Sequence, residues 1–223
     1  MKKYRDAFLE KRIEQYDSWL GEESISFSSR VIPVQRSLEA KQWVLPAEQV
    51  REVLREASVI ALQPCECRNH YQRCEHPREV CLLFDEAAEK YLLRNEARRI
   101  TLKEACGVLE QADRSGLVHM TLYMPEHKIY ALCSCCPCCC HEMRIVRKYG
   151  RHDLMVRSQY VAETDFSLCM HCGDCVDRCI FSAREMTVAG ELLYDPDKCL
   201  GCGLCVTVCP ANATEMILQE TSR

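Results

Sequence analysis

The sequence predicts an α+β protein in which a Cys-rich region of mixed helices and strands precedes a C-terminal metal-binding domain. The chain has 223 residues and 19 cysteines, and eight of these cysteines fall in two runs of identical spacing near the C-terminus. Upstream of the runs, segments of helical periodicity alternate with short apolar segments, a pattern typical of helices and strands around one core. The expected parts are residues 1–45, 46–158 and 159–223.

The two C-terminal runs have the spacing C-x2-C-x2-C-x3-C. Three closely spaced thiolates can bind three irons of one cubane, and the fourth iron then needs a ligand from elsewhere in the chain. A pair of structural zinc sites is disfavoured, because zinc tolerates loose spacing between its ligand pairs and does not require a doubled run. The cysteines of the two runs are Cys169, Cys172, Cys175 and Cys179, then Cys199, Cys202, Cys205 and Cys209.

The two runs belong to an internal duplication with an offset of 30 residues. Between Cys169–Met186 and Cys199–Met216, nine of 18 positions are identical, including all four cysteines. Over about residues 160–218 this repeat resembles the bacterial-type dicluster ferredoxins. The resemblance implies two 4Fe–4S clusters, one held by Cys169, Cys172, Cys175 and Cys209, the other by Cys199, Cys202, Cys205 and Cys179. One departure is Ile180, where the family usually has proline.

A second constellation of cysteines lies in the central region, in two sets. The sets are Cys65, Cys67, Cys74 and Cys81, then Cys133, Cys135, Cys136, Cys138, Cys139 and Cys140. Strand alternation predicts Cys133, Cys135 and Cys139 on one face and Cys136, Cys138 and Cys140 on the other. A strand at Val59–Leu62 delivers the first set and a strand from Lys128 delivers the second. If these two strands pair side by side, both sets meet at one end of the sheet, so we expect the ten cysteines to form one joint metal region.

Three kinds of chemistry fit ten clustered thiols. They could hold one or two further 4Fe–4S clusters, bind zinc in an all-thiolate site, or act as a redox-active thiol pair. Six thiols in eight residues exceed four-coordination, so some are spare or catalytic. The nearby His70, His76 and His141 could replace a thiolate, although each alone is expected to be a solvated histidine. Cys106 is predicted to be a small buried hydrophobe.

Local patterns predict the elements around these cysteines. Residues 2–20 form an amphipathic helix that covers the protein's own core. Pro46 begins a second helix, Glu79–Leu93 forms a third, and a fourth starts at Thr101, where Glu104 completes a capping box. Leu117–Tyr123 and Lys128–Leu132 are predicted strands. The order from residue 46 to 133 resembles a winged helix-turn-helix, so the fold class is α+β with a winged-helix-like central region.

Charge and hydropathy narrow the functional classes. The net charge of −4, with both signs interspersed, does not indicate a basic surface that would bind nucleic acid. No stretch of 18 apolar residues predicts a membrane span, and Met1–Leu20 lacks the apolar segment of a signal peptide. Clustered thiols in such a chain predict metal ligands in a reducing, cytoplasmic compartment. The basic segment from His141 to Arg157 is expected to be a solvated helix face, with docking of an acidic partner as the alternative.

The whole pattern resembles uncharacterised 4Fe–4S binding proteins of anaerobes. That resemblance implies electron transfer with redox partner proteins in oxygen-poor metabolism, and it implies no substrate and no catalytic residue. Two alternatives stay open. One is a redox-responsive regulator that binds DNA through Arg94, Arg98, Arg99 and Lys103. The other is an oxidoreductase, or a subunit of one, that uses the central cysteines; the absence of a dinucleotide fingerprint and of a P-loop disfavours a stand-alone enzyme.

Overall fold

The computed structural model describes residues 6–33, 54, 56–125, 128–151 and 153–219. Most of its core lies on a seven-stranded sheet with the strand order β4-β2-β3-β6-β5-β1-β7. Neighbouring strands are antiparallel, except for the parallel pair of β1 and β7. The seven strands are β1 (Ser29–Ile32), β2 (Ile60–Pro64), β3 (Glu79–Phe84), β4 (Arg98–Arg99), β5 (Val118–Met124), β6 (Lys128–Cys135) and β7 (Met155–Val156).

Five helices accompany this sheet in the described part of the chain. They are α1 (Ala7–Gly21), α2 (Glu66–Tyr71), α3 (Asp85–Leu93), α4 (Leu102–Arg114) and α5 (His141–Tyr149). The predicted N-terminal helix is confirmed over Ala7–Gly21, and it covers the protein's own core by packing Leu9, Ile13 and Tyr16 against Ile145 and Leu154. The predicted capping box is also confirmed, because Thr101 accepts from the Glu104 amide while Glu104 reaches back to the Thr101 amide.

Three expectations for the central region need correction. The predicted helix Glu79–Leu93 is a strand as far as Phe84 and a helix only from Asp85, because its run of buried apolar residues fits a central strand flanked on both sides. The expected pairing of the first cysteine strand with the second does not occur, since β3 lies between β2 and β6. With these strands in one sheet, the winged-helix resemblance is not confirmed. The predicted helix after Pro46 lies outside the described residues, apart from helical Leu54 and Glu56.

The C-terminal tail forms two ribbons that hold the duplicated loops. One ribbon pairs β8 (Tyr160–Thr164) with β11 (Thr214–Leu218), and the other pairs β9 (Arg184–Met186) with β10 (Leu192–Tyr194). In the first repeat a short helix α6 (Asp174–Arg178) contains Cys175. In the second repeat a 3-10 turn, Val206–Val208, follows the equivalent Cys205.

The tail packs directly on the central sheet. Leu204, which is 1% exposed, belongs to the same buried cluster as Val31, Val118 and Met120 of β1 and β5. At Gly116, which has φ +69°, a Cβ would run into the guanidinium of Arg178 from the tail. Within the described residues, the helices include none that is both long and apolar enough to cross a membrane.

Candidate metal centres

The first candidate centre, here called the outer site, is a cavity between the two halves of the tail. It is lined by Cys169, Cys172 and Cys175 of the first loop and by Cys209 of the second. The amide of Ala213 donates to Cys209 Sγ at 3.2 Å, so a hydrogen bond from the backbone of its own loop holds this sulfur in place. Cys172 is exposed, so this cavity lies at the protein surface.

The second candidate centre, the inner site, mirrors the first with the roles of the loops exchanged. It is lined by Cys199, Cys202 and Cys205 of the second loop and by Cys179 of the first. The Ala183 amide donates to Cys179 Sγ at 3.3 Å, in the position equivalent to the Ala213 bond. Burial raises the pKa of the Cys205 thiol to about 11 and raises that of Cys202 further, so metal binding here must displace protons.

A buried arginine lies between the outer and inner sites. Arg184 is 3% exposed, and its Nη1 lies 3.8 Å from Cys175 Sγ of the outer site. Its Nη2 donates to Thr164 Oγ1 at 2.9 Å, and its guanidinium stacks over the Tyr194 ring at 4.5 Å. Burial disfavours its charge, but the Cys205 and Cys175 groups raise the pKa of Arg184 above its usual value. One fixed positive charge therefore acts on the thiolates of both sites.

The central cysteines form two groups. Six of them, here called the thiol ring, line one cavity beside strands β3 and β6; they are Cys65, Cys67, Cys81, Cys133, Cys135 and Cys140. Cys81 and Cys133 are direct partners on neighbouring strands. Four cysteines of the ring pack in one hydrophobic cluster with the other four of these ten cysteines, so the expected joint metal region stays a prediction.

Hydrogen bonds among the ring thiols mark two of them as anionic. Cys67 and Cys81 donate to Cys65 and lower its pKa to about 2. Cys135 and Cys81 donate to Cys133 and lower its pKa to about 5, although burial opposes that shift. Because a thiolate is the form that binds metal, Cys65 and Cys133 are the best-prepared ligands of the ring.

A line of buried polar groups leads away from the ring toward α1. Cys67 Sγ lies 3.0 Å from His141 Nδ1, and His141 Nε2 lies 2.8 Å from the Tyr16 hydroxyl. Tyr16 in turn donates to Glu142 Oε1 at 2.8 Å. Burial lowers the pKa of His141 to about 3 and raises that of Glu142 to about 7. The sequence singled out His141 as a nearby histidine, but no local pattern identified Tyr16 or Glu142.

The remaining four central cysteines, the four-thiol group, lie on the other side of the same turn. Cys74, Cys136, Cys138 and Cys139 have sulfur atoms within 4.8 Å of one another. The expected alternation of faces is right for Cys133, Cys135, Cys136 and Cys138 and wrong for the last two cysteines. Pro137 interrupts the strand with a turn, so Cys139 joins the four-thiol group and Cys140 joins the ring. Cys106 is half-buried and outside both groups.

Most of the basic segment is engaged within the protein. Arg144 pairs with Asp6 at 3.3 Å, Arg151 pairs with Asp17 and Asp153, and Arg157 donates to the Asp197 carbonyl. Of the arginines and lysines of α5, only Arg147 and Lys148 are exposed. The helix face is therefore partly solvated, as expected, and presents two cations rather than a broad basic surface.

Comparison with known proteins addresses the tail. No curated protein matches the chain. Residues 168–213 match a family model described as the 4Fe-4S dicluster domain, a range that includes the four cysteines of the outer site and the four of the inner site. The C-terminal part of this chain is a 4Fe–4S dicluster domain.

Proposed function

We propose that the chain is an iron–sulfur electron-transfer protein with two 4Fe–4S clusters in residues 159–223 and one more in the thiol ring. In the tail, Cys169, Cys172, Cys175 and Cys209 would hold one cluster, and Cys199, Cys202, Cys205 and Cys179 the other. Two observations support this assignment: each set lines one cavity, and a backbone amide donates to the sulfur that each half lends to the other. When bound, the clusters supply one-electron transfer.

The surroundings of the two tail sites favour different roles for them. Phe166, Leu168 and Met170, at the start of the first loop, are 50%, 54% and 62% exposed. Adjacent exposed apolar side chains are unusual on a free surface and are typical of contact sites. We therefore assign the outer site to exchange with a redox partner protein, which would cover these side chains.

The observation that carries the proposal is the continuous packing between the inner site and the thiol ring. Cys202 of the inner site and Leu204 belong to one hydrophobic cluster with Cys135 and Cys140 of the ring. Ile180 and Phe181 pack against the same cluster. Electrons that arrive at the outer site would pass the inner site and reach the ring through packed protein rather than through solvent.

The ring itself has the donors for a further cluster. Four of its six thiols would ligate one 4Fe–4S cluster, with Cys65 and Cys133 among them because these two are already stabilised as thiolates. The other two thiols and His141 would remain available at the edge of the cavity. This division agrees with the excess of thiols over four-coordination in the sequence.

Iron analysis of anaerobically prepared protein tests the proposal. Three clusters require about twelve irons per chain, and the tail alone requires about eight. Cys133→Ser should reduce the iron content to about eight and leave the EPR signals of the reduced tail intact, while Cys106→Ser should change neither. Fewer than about eight irons in the unmodified protein would exclude the tail assignment, and about eight irons rather than about twelve would exclude the ring cluster.

A second candidate function, reduction of a small substrate at the ring, is favoured by the shape of the cavity. Beyond the thiols the cavity is lined by Arg12, Tyr91 and Tyr130. These polar residues therefore border a part of the cavity that the cysteine ligands of a cluster would not fill. The pocket would then admit a small thiol or disulfide beside the ring. If added candidate thiols and disulfides leave the EPR spectrum of the ring cluster unchanged, this second function is excluded.

A further inference from the structure

Four thiols outside the ring converge from two loops that are distant in sequence. Cys74 lies in the loop between α2 and β3, and Cys136, Cys138 and Cys139 lie in the turn between β6 and α5. The sulfur of Cys74 is 3.7 Å from that of Cys136 and 3.8 Å from that of Cys139. All four sulfur atoms lie within 4.8 Å of one another.

These separations have the scale of a single tetrahedral ion. With zinc–sulfur bonds of about 2.3 Å, the sulfur atoms of a regular tetrahedron lie about 3.8 Å apart. We infer that Cys74, Cys136, Cys138 and Cys139 form a zinc site, distinct from the thiol ring and from the clusters of the tail.

The local backbone is shaped to hold the four sulfurs in place. The amide of Cys140 donates to the carbonyl of Cys136 at 3.0 Å and closes a tight turn around Pro137. This turn brings three of the thiols to one side. From the opposite loop, backbone amides of His76 and Arg73 donate to the sulfurs of Cys74 and Cys139.

A buried arginine supplies the charge that such a site needs. Arg68 is 1% exposed, and it remains charged because a guanidinium does not deprotonate in proteins. Its two oxygen partners are the neutral carbonyls of Pro77 and Ser134. The cysteines that interact with its guanidinium are Cys65, Cys136 and Cys135. A buried cation requires a charged partner, and a zinc ion with four thiolates carries a net charge of −2.

The inferred site would have a structural role. Zinc has no redox chemistry in proteins, and closed four-thiolate sites stabilise folds. Here the ion would fasten the loop that follows α2 to the turn that delivers Cys133, Cys135 and Cys140 to the ring. This role goes beyond the proposed electron transfer and does not depend on it, because the iron content and the zinc content of the protein are measured independently.

The test compares zinc in the full-length protein and in two matched variants. Protein produced anaerobically with both metals supplied should contain one zinc per chain. Cys74→Ser should lose that zinc and keep its iron, and Cys106→Ser should keep both. Absence of zinc from the unmodified protein, or loss of iron with retention of zinc in Cys74→Ser, would overturn the inference.

A measurement on the unmodified protein covers the case in which Cys74→Ser does not fold. X-ray absorption at the zinc edge should show only sulfur neighbours, at about 2.3 Å, and no iron in the second shell. Nitrogen or oxygen neighbours would place the zinc on other residues, and iron neighbours would place it within a cluster. Either result would overturn the site described above.

Discussion

The outer and inner sites of the tail are built from one repeated sequence but lie in different surroundings. The outer loop is bordered by exposed Leu168 and Met170, whereas the inner loop is covered by the central core through Leu204. Duplication therefore fixes which residues can ligate, and the contacts of each copy decide whether it faces solvent or protein. Two equivalent positions make the difference concrete.

The first position is the residue before the second cysteine of each run. His171 and Gly201 have similar backbones, with φ values of +52° and +72°. A side chain is accommodated at residue 171, and His171 Nδ1 accepts from the Leu192 amide at 2.8 Å. At residue 201 a Cβ would collide with the carbonyl oxygen of Tyr160. Glycine is needed there because the inner loop passes against the start of β8.

The second position lies five residues after the fourth cysteine of each run. Arg184 occupies it in the first repeat and Thr214 in the second. Arg184 contacts Cys175 and acts on Cys205, so it breaks the symmetry of the repeat with one positive charge. Thr214 forms a hydrogen bond with Thr164, the residue that also accepts from Arg184. The asymmetry therefore adds charge at a place where the second copy contributes only a neutral hydroxyl.

The largest effect is expected from replacing Cys179 or Cys209, the cysteine that each loop contributes to the site of the other loop. Cys179→Ala should abolish the inner cluster, which it serves from the first loop, and Cys209→Ala should abolish the outer one. Each variant should lose about four irons, the content of one cubane, as measured by iron analysis and EPR. If Cys179→Ala instead removes the outer cluster, each run holds its own cluster and the exchange between halves is wrong.

The next-largest effect is expected from substitutions at residues 201 and 171, which are equivalent in the two loops. Gly201→Ala should lose the inner cluster, because the new methyl group meets the Tyr160 backbone and φ there is left-handed. His171→Ala should keep the outer cluster and lose only one hydrogen bond, a cost of about 1 kcal/mol. Visible absorption and iron content of the two variants measure the difference, and equal losses would mean that surroundings do not distinguish the loops.

A smaller effect should follow from trimming the side chains around the loops. Leu204→Ala opens a cavity under the inner site and should destabilise the protein by about 2–5 kcal/mol. Met170→Ala, at the exposed outer loop, should change stability by no more than about 0.5 kcal/mol. Thermal bleaching of the cluster absorption compares the two. If the two variants lower the midpoint temperature of bleaching by the same amount, the inner loop is no more buried than the outer loop.

The smallest effect concerns the charge between the sites. Arg184→Gln should lower the reduction potentials of both clusters by roughly tens of millivolts, because a nearby cation favours the more negative reduced state. Arg184→Lys keeps the charge and should retain most of the potential. Redox titration followed by EPR measures both variants. A shift confined to one cluster would show that Arg184 acts on that site alone.

The sequence predicted the tail well because its information is local. The spacing of the two runs predicted a cluster-binding domain, and the family match over residues 168–213 bears out the type of domain; the cysteines that would share each cluster stay a prediction from the resemblance. The surroundings of each loop were not predictable, because Leu204 meets Val31 and Val118 only through tertiary packing. The same limitation applies to Arg184, whose position in a strand gave no sign that it lies between two metal sites.

The central region was harder to predict because its sites are assembled from distant segments. Alternation along β6 correctly assigned Cys133 and Cys135 to one face, but the turn at Pro137 reversed the last two cysteines. The segment Val80–Phe84 has the apolar content of a helix face, and it became a strand only because β2 and β6 enclose it. Local patterns therefore identified the candidate metal-binding cysteines but not the division into a ring and a four-thiol group.

The placement of β3 between β2 and β6 has a consequence for the order of folding. Cys65 and Cys140 of the thiol ring are 75 positions apart in the chain, and the strands that carry the ring must pair before its cavity exists. Contacts between distant residues form slowly, because a long loop must close first. During synthesis the ring is therefore complete only after residue 140 has emerged and β6 has paired with β3. We expect its metal to be inserted into a nearly folded sheet, so the rate of strand pairing would limit maturation of this centre.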